Sequence, residues 1–186
     1  MSELVFLLEE PSAEAMLTGL LPRLLPEGTA VRCIVFEGKQ DLEKQLVKRL
    51  RGYRVRNARF VVLRDQDAAD CHEVKTRLLE MCLNAGRQDA IVRIACHELE
   101  SWYLADLVAV ERGLEINGLG ALQNKKKYRV PDDLADAAEE LANLTGQRYQ
   151  KVGGSRAIGP HLDINNSRSR SFAVFVAGVK KMTAES

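Results

Sequence analysis

Apolar positions in the first 112 residues alternate between two rhythms. Residues 4–8 (Leu4, Val5, Phe6, Leu7, Leu8) form an unbroken apolar run, the pattern of a strand covered on both faces. Residues 12–25 follow as a helix, closed by Pro26 and Gly28. Residues 31–36 are a second β-branched run. Residues 41–51 place Leu42, Leu46, Val47 and Leu50 on one helical face. The basic end of that helix (Lys48, Arg49, Arg51) suits the negative pole of its dipole. Residues 60–63 read as a third strand. Asp70 and Glu73 then have the spacing of a capping box for a helix carrying Val74, Leu78, Met81 and Cys82. Residues 90–95 give a fourth strand and residues 98–112 a fourth helix.

Strands joined by helical crossovers imply an α/β fold, a parallel sheet of about four strands flanked by helices. Ligands of such sheets bind beyond the carboxyl ends of the strands. From residue 113 the strand signals stop. Residues 116–129 bear glycines and then turn basic. Pro131 opens a predicted helix with Asp132 and Asp133 in its first turn and Leu134, Ala137, Ala138 and Leu141 on one face. Residues 149–170 read as loop because of Gly153, Gly154 and Gly159. A last helix carries Phe172, Phe175, Val176 and Val179 and ends in Lys180 and Lys181. The expected organisation is an α/β core over 1–112 and a helical, loop-rich extension over 113–186 packed on the same domain.

A length of 186 residues suits one domain with a real core. At 46% hydrophobic and 28% charged, the chain is not a disordered one. The net charge of +1 means that any nucleic-acid surface must be local. Cys33, Cys71, Cys82 and Cys96 form no C-x-x-C pair and read as reduced thiols of a cytoplasmic protein. The pairs Cys71-His72 and Cys96-His97 do not match a usual zinc spacing. The short N-terminal apolar run lacks the basic region of a signal peptide. No stretch approaches the ~18 apolar residues that cross a bilayer, so no membrane association is expected.

The strand ends are acidic. The first ends in Glu9-Glu10, the third in Asp65-Gln66-Asp67, the fourth in His97-Glu98-Leu99-Glu100. Converging carboxylates repel one another and raise each other's pKa unless a cation joins them. Hard divalent ions such as Mg²⁺ or Mn²⁺ take oxygen ligands and answer that need. Glu9, Asp65 and Asp67 are the candidate ligands. Glu98 and Glu100 are two apart, so on a helix they point about 200° from each other. Glu98 is taken as the further ligand, with Glu9, Glu98 and Glu100 as the candidate catalytic residues; the acid of the 98/100 pair that binds no metal could instead cap the helix or pair with a base. Trp102 and Tyr103 read as core.

The runs LLEEPSAEAML and VVLRDQDAADC resemble the Toprim signature of topoisomerases, primases and overcoming-lysogenization-defect (OLD) nucleases. Glu9, Glu14, Asp65, Asp67, RIACHELESWYLAD, YQKVGGSRAIGPHLD and SRSRSF more closely resemble a Toprim-like family of uncharacterised bacterial proteins. Members are often encoded beside an ATPase and linked to phage defence. The resemblance implies a Toprim-like (Rossmann-like) fold and Mg²⁺-dependent phosphodiester cleavage of DNA or RNA, with an ATPase partner. It makes Glu9 a general base or metal ligand and gives Asp65 and Asp67 the metal. Two positions depart from the pattern: Glu10 stands where the family usually has Gly, and Ala13 where an acid is common.

Two basic runs could follow a phosphate backbone or simply be solvated: Arg49, Arg51, Arg54, Arg56 and Arg59, and Lys125 to Lys127. The late segment offers Lys151, Ser155, Arg156, His161, Ser167, Arg168 and Arg170 as phosphate donors, or Ser169 and Ser171 as caps of the last helix. Lys127, Lys151, Arg156 and Ser171 are the candidates for phosphate contact. Homodimerisation is also open. Two other classes fit some of these features: a receiver-like signalling domain, and a non-catalytic module binding nucleic acid or protein. A receiver wants a fifth strand ending in Lys. The D-x-D of a haloacid-dehalogenase-like phosphatase follows the first strand, whereas here it follows the third.

Overall fold

The computed structural model describes residues 3–184. Residues 1–2 and 185–186, the outer limits of the expected core and extension, lie outside the described residues. Four strands form one sheet: β1 (Glu3–Leu8), β2 (Ala30–Val35), β3 (Ala58–Asp65) and β4 (Ile91–Ala95). Their order is β2-β1-β3-β4 and every pairing is parallel. The apolar runs form strands because both faces of the sheet are covered. Leu4, Phe6 and Leu8 of β1 join one core cluster, while Val5 and Leu7 join the other.

The first cluster includes α1 (Pro11–Leu24), and the second includes α2 (Lys39–Gly52) and α3 (Cys71–Asn84). Leu42, Leu46 and Leu50 bury the predicted face of α2, and Val74, Leu78 and Cys82 that of α3. The expected cap of α3 is present: the Asp70 carboxylate accepts the N–H groups of His72 and Glu73. One helix on one face and two on the other is what right-handed crossovers demand for this strand order. The chain leaves β1 sideways to β2, then returns past it to β3. The topological switch point therefore falls at the carboxyl ends of β1 and β3.

The rest of the chain adds α4 (Glu100–Leu104), α5 (Leu107–Leu114), α6 (Ala137–Leu144), α7 (Lys151–Ile158) and α8 (Arg170–Ala184). These share the first cluster with α1. Trp102 and Tyr103 are core, Trp102 resting on Phe172 and Phe175 with ring centroids 5.2 and 5.1 Å away.

Three predicted elements differ. The single helix over 98–112 breaks at Asp106, whose carboxylate accepts the N–H of Ala109 at 3.1 Å and of Asp163 at 2.8 Å. Asp106 thereby caps α5 and ties it to the late segment. At Pro131 there is only a 3-10 turn (Pro131–Asp133), and the α-helix begins at Ala137. The expected loop over 149–170 contains α7. Its glycines permit close packing and do not break the helix. A Cβ on Gly159 would lie 2.4 Å from the Met16 carbonyl oxygen of α1, and one on Gly154 would lie 2.4 Å from Cδ2 of Tyr149.

All four cysteines are free. Cys71, His72, Cys96 and His97 line one cleft of about 580 Å³. No helix among the described residues is long and apolar enough to cross a membrane.

Neighbouring glycines should respond with opposite sign. Gly159→Ala forces a methyl group into the α1 backbone and should destabilise by about 1–3 kcal/mol. Gly153 faces open space in α7, so Gly153→Ala should stabilise by about 0.5–1 kcal/mol. Thermal melts of the two variants against the parent chain check both signs.

Candidate functional site

The switch point gathers acids from several elements. Glu9 and Glu10 follow β1, Asp65 closes β3, and Glu100 opens α4. The Asp65 N–H donates to Oε2 of Glu9 at 3.1 Å, which joins the two strand ends directly. Burial pushes the Asp65 carboxyl well above its ordinary 3.8, and the charges of Glu100, Glu9 and Glu10 push it further; an N–H bond from Leu99 opposes them. Glu100 is fully buried and also raised, by burial above all, although the Tyr149 hydroxyl donates to its Oε1 at 2.8 Å. Its other oxygen, Oε2, is buried without a hydrogen-bond partner. Glu9 is raised by burial and by Asp67, against the Asp65 N–H and the Arg64 charge.

Basic side chains hold the rim. Lys39, the first residue of α2, donates to Oδ2 of Asp67 at 2.8 Å. Lys151, the first residue of α7, sits 2.8 Å from Oε1 of Glu10. Burial works against the charged Lys151, but the Glu10 hydrogen bond and the charges of Glu10, Glu100 and Asp65 outweigh it and raise its pKa. Arg64, only 3% exposed within β3, lies 3.7 Å from Glu9 and pairs with Glu43 of α2.

The expected site residues do not all meet. Glu9 and Asp65 are coupled as described. At Asp67 the backbone enters the left-handed region (φ 56°), strand alternation ends, and the carboxylate pairs with Lys39 while its charge still acts on Glu9. Glu98, expected as the ligand from its strand end, instead accepts the Ala138 N–H at 2.7 Å and caps the first turn of α6. Glu100 is the acid from that segment which reaches Asp65. Among the described residues no three His, Cys, Asp or Glu side chains stand together as a ready-made metal cluster. The hard-oxygen chemistry of Asp65, Glu9 and Glu100, with one buried oxygen unpartnered, nonetheless fits a divalent cation.

The phosphate candidates also separate. Lys151 lies at the site. Lys127 pairs with Glu140, whose Oε1 also accepts the Tyr128 hydroxyl. Ser171 is internal, its Oγ accepting the Trp102 indole N–H at 2.8 Å and its N–H donating to Asp132. Arg156 is exposed on α7, turned about 140° from Lys151 by helical spacing. The arginine run of residues 49–59 lies at the opposite pole, where α2 leads into β3. There Arg51 donates to the Asn84 carbonyl and Arg59 to that of Met182.

Sequence reading missed Lys39, Arg64 and Tyr149. An arginine inside the apolar run FVVLRD was the available sign for Arg64. Lys39 carried no motif, and Tyr149, although it opens the run YQKVGGSRAIGPHLD, was given no role there.

Fold and site together define a parallel α/β domain with an acidic pole at its topological switch point. The chain belongs to the DUF4276 family, a domain of unknown function, which it matches over residues 8–180. No curated protein matches it significantly in sequence. Among solved structures it is similar to the C-terminal region of the Xanthomonas campestris pv. campestris OLD protein, with a TM-score of 0.54 at 15% identity, covering 98% of this chain and 96% of that one. At that identity the likeness concerns the fold.

The raised acids set a pH dependence. A carboxyl whose folded pKa lies above its unfolded value keeps a proton that the unfolded chain has released, so stability falls as pH rises from 3.8 towards the folded value for Asp65. Glu9 and Glu100 act in the same sense above 4.5. Asp41 and Asp70 are lowered, so their contribution changes only at more acid pH. Without added cation, the chain should unfold at higher urea concentration at about pH 5 than at about pH 7.5. Asp65→Asn should flatten this difference, and an unchanged difference would contradict the assignment.

Proposed function

We propose that this chain is a divalent-cation-dependent phosphodiester-cleaving protein, nuclease-like, acting on DNA or RNA. The observation that carries the proposal is the Asp65 carboxyl. Burial and the charges of Glu100, Glu9 and Glu10 act on it together, and one oxygen of Glu100 is buried without a hydrogen-bond partner. A pole built this way stores electrostatic repulsion that a hard cation relieves.

In this reading Asp65, Glu9 and Glu100 hold Mg²⁺ or Mn²⁺. The bound ion supplies charge neutralisation at the scissile phosphate. Lys39 and Lys151 already stand at the rim as the first residues of two helices, so their ammonium groups and the helix ends favour a phosphate there. Arg64 keeps Glu9 oriented towards the Asp65 N–H. An ATPase partner and a role in phage defence belong to the same reading, through the Toprim-like motifs and the similar fold of the OLD protein region.

A second reading has one observation in its favour. Lys39, Lys151 and Arg64 already neutralise Asp67, Glu10 and Glu9, as a non-catalytic binding module would require. The receiver-like alternative lacks support, since the sheet of the described residues has four strands and no fifth ending in Lys.

Titration with Mn²⁺, followed by cleavage assays on DNA and RNA, separates the readings. Saturable Mn²⁺ uptake is expected for the parent chain. Asp65→Ala should lose uptake and cleavage by more than the ~10–100-fold that outer partners of a metal site are worth. A parent chain that takes up no Mn²⁺ supports the binding module, and an Asp65→Ala variant that cleaves as well as the parent defeats the proposal.

A further inference from the structure

The acid that reaches Asp65 from α4 has an orientation problem. A buried carboxylate with two equivalent oxygens can turn about its last bond, and neither oxygen has solvent to satisfy it. Glu100 is in that position, fully buried at the start of α4. Its Oε1 accepts the Tyr149 hydroxyl at 2.8 Å, and its Oε2 has no hydrogen-bond partner. The Tyr149 hydroxyl is thus the side-chain donor that engages one oxygen, while the other is left free.

Resting on the reading of the acidic pole as a cation site, we propose that Tyr149 is the positioning residue that presents the free oxygen of Glu100 to the bound ion. Tyr149 is held from backbone to hydroxyl. Its N–H donates to Oγ1 of buried Thr145 at 3.1 Å. Its ring lies edge-on to Tyr103 with centroids 6.0 Å apart. The ring also meets α7 at Gly154, where any Cβ would stand 2.4 Å from Cδ2. The hydroxyl also lies 3.4 Å from the Lys151 carbonyl and 3.4 Å from Oγ of Ser155. The phenol cannot swing away, so the hydrogen bond to Glu100 has a fixed direction.

This arrangement gives Gly154 a role: it makes room for the ring that aims the acid. It also ties two arms of the site together, because the turn that carries Lys151 carries the partners of the Tyr149 hydroxyl. Tyr149 touches neither substrate nor ion in this scheme. It acts through Glu100, as outer partners of metal ligands do.

The test is Tyr149→Phe, which keeps the ring and removes the one donor. Mn²⁺ affinity, measured by calorimetry, should fall by ~10–100-fold, while the melting midpoint in chelator falls by only a few degrees. A folded Tyr149→Phe that binds Mn²⁺ as tightly as the parent chain overturns the inference and leaves the cation reading standing. A parent chain that binds no Mn²⁺ removes the cation reading itself, which is a different result. If Tyr149→Phe gives no cooperative melt, Thr145→Val decides. It releases the Tyr149 backbone without touching an acid, and it should weaken Mn²⁺ binding in the same direction but less; unchanged affinity in that variant also overturns the inference.

Discussion

Like charges held together in a partly buried site constrain everything around them. In this chain the constraint is the cluster of Asp65, Glu100, Glu9 and Glu10 at the carboxyl ends of β1 and β3. Burial disfavours the ionised forms of Asp65, Glu9 and Glu100, and for Asp65 the neighbouring acids add to that penalty. Such a cluster persists only where the surrounding fold is rigid enough to hold it. The two core clusters provide that rigidity, one on each face of the sheet.

The response to this repulsion is distributed. Arg64 crosses beneath Glu9 to Glu43, Lys39 meets Asp67, and Lys151 meets Glu10. Each base comes from a different element, so no single helix or loop neutralises the pole. Exposed pairs of this kind contribute little to stability, whereas a buried arginine must keep its partners or pay heavily in desolvation. The outer lysines are therefore the replaceable part of the arrangement. The buried acids with Arg64 and Tyr149 are the fixed part.

The extension completes the site. α4 supplies Glu100, α7 supplies Lys151, and the turn before α7 supplies Tyr149. Close helix contacts, made possible by Gly159 against Met16 and Gly113 against Ala157, bring that late segment over α1 and the strand ends. The similarity to the OLD C-terminal region spans nearly the whole of both chains, so the extension belongs to the shared fold together with the sheet.

The four strands, the first three helices and the acids following β1 and β3 were legible in the residues. Apolar runs, a capping box and strand-end carboxylates are local signals, and local physical chemistry decides them. Contacts across the fold decided the rest. Glu98 and Glu100 have similar sequence contexts. Only the position of α6 makes one a cap, and only that of Tyr149 makes the other a site acid. Gly153, Gly154 and Gly159 read alike as breakers, yet two of them are tight packing points, because what a glycine's missing side chain spares depends on which element lies opposite. A left-handed backbone turn pairs Asp67 with Lys39, 28 residues away, while its charge still acts on Glu9. The sequence by itself thus determined which segments form sheet and helix and where negative charge accumulates. The tertiary structure decided which of those charges face one another, since that depends on the packing of segments far apart in the chain.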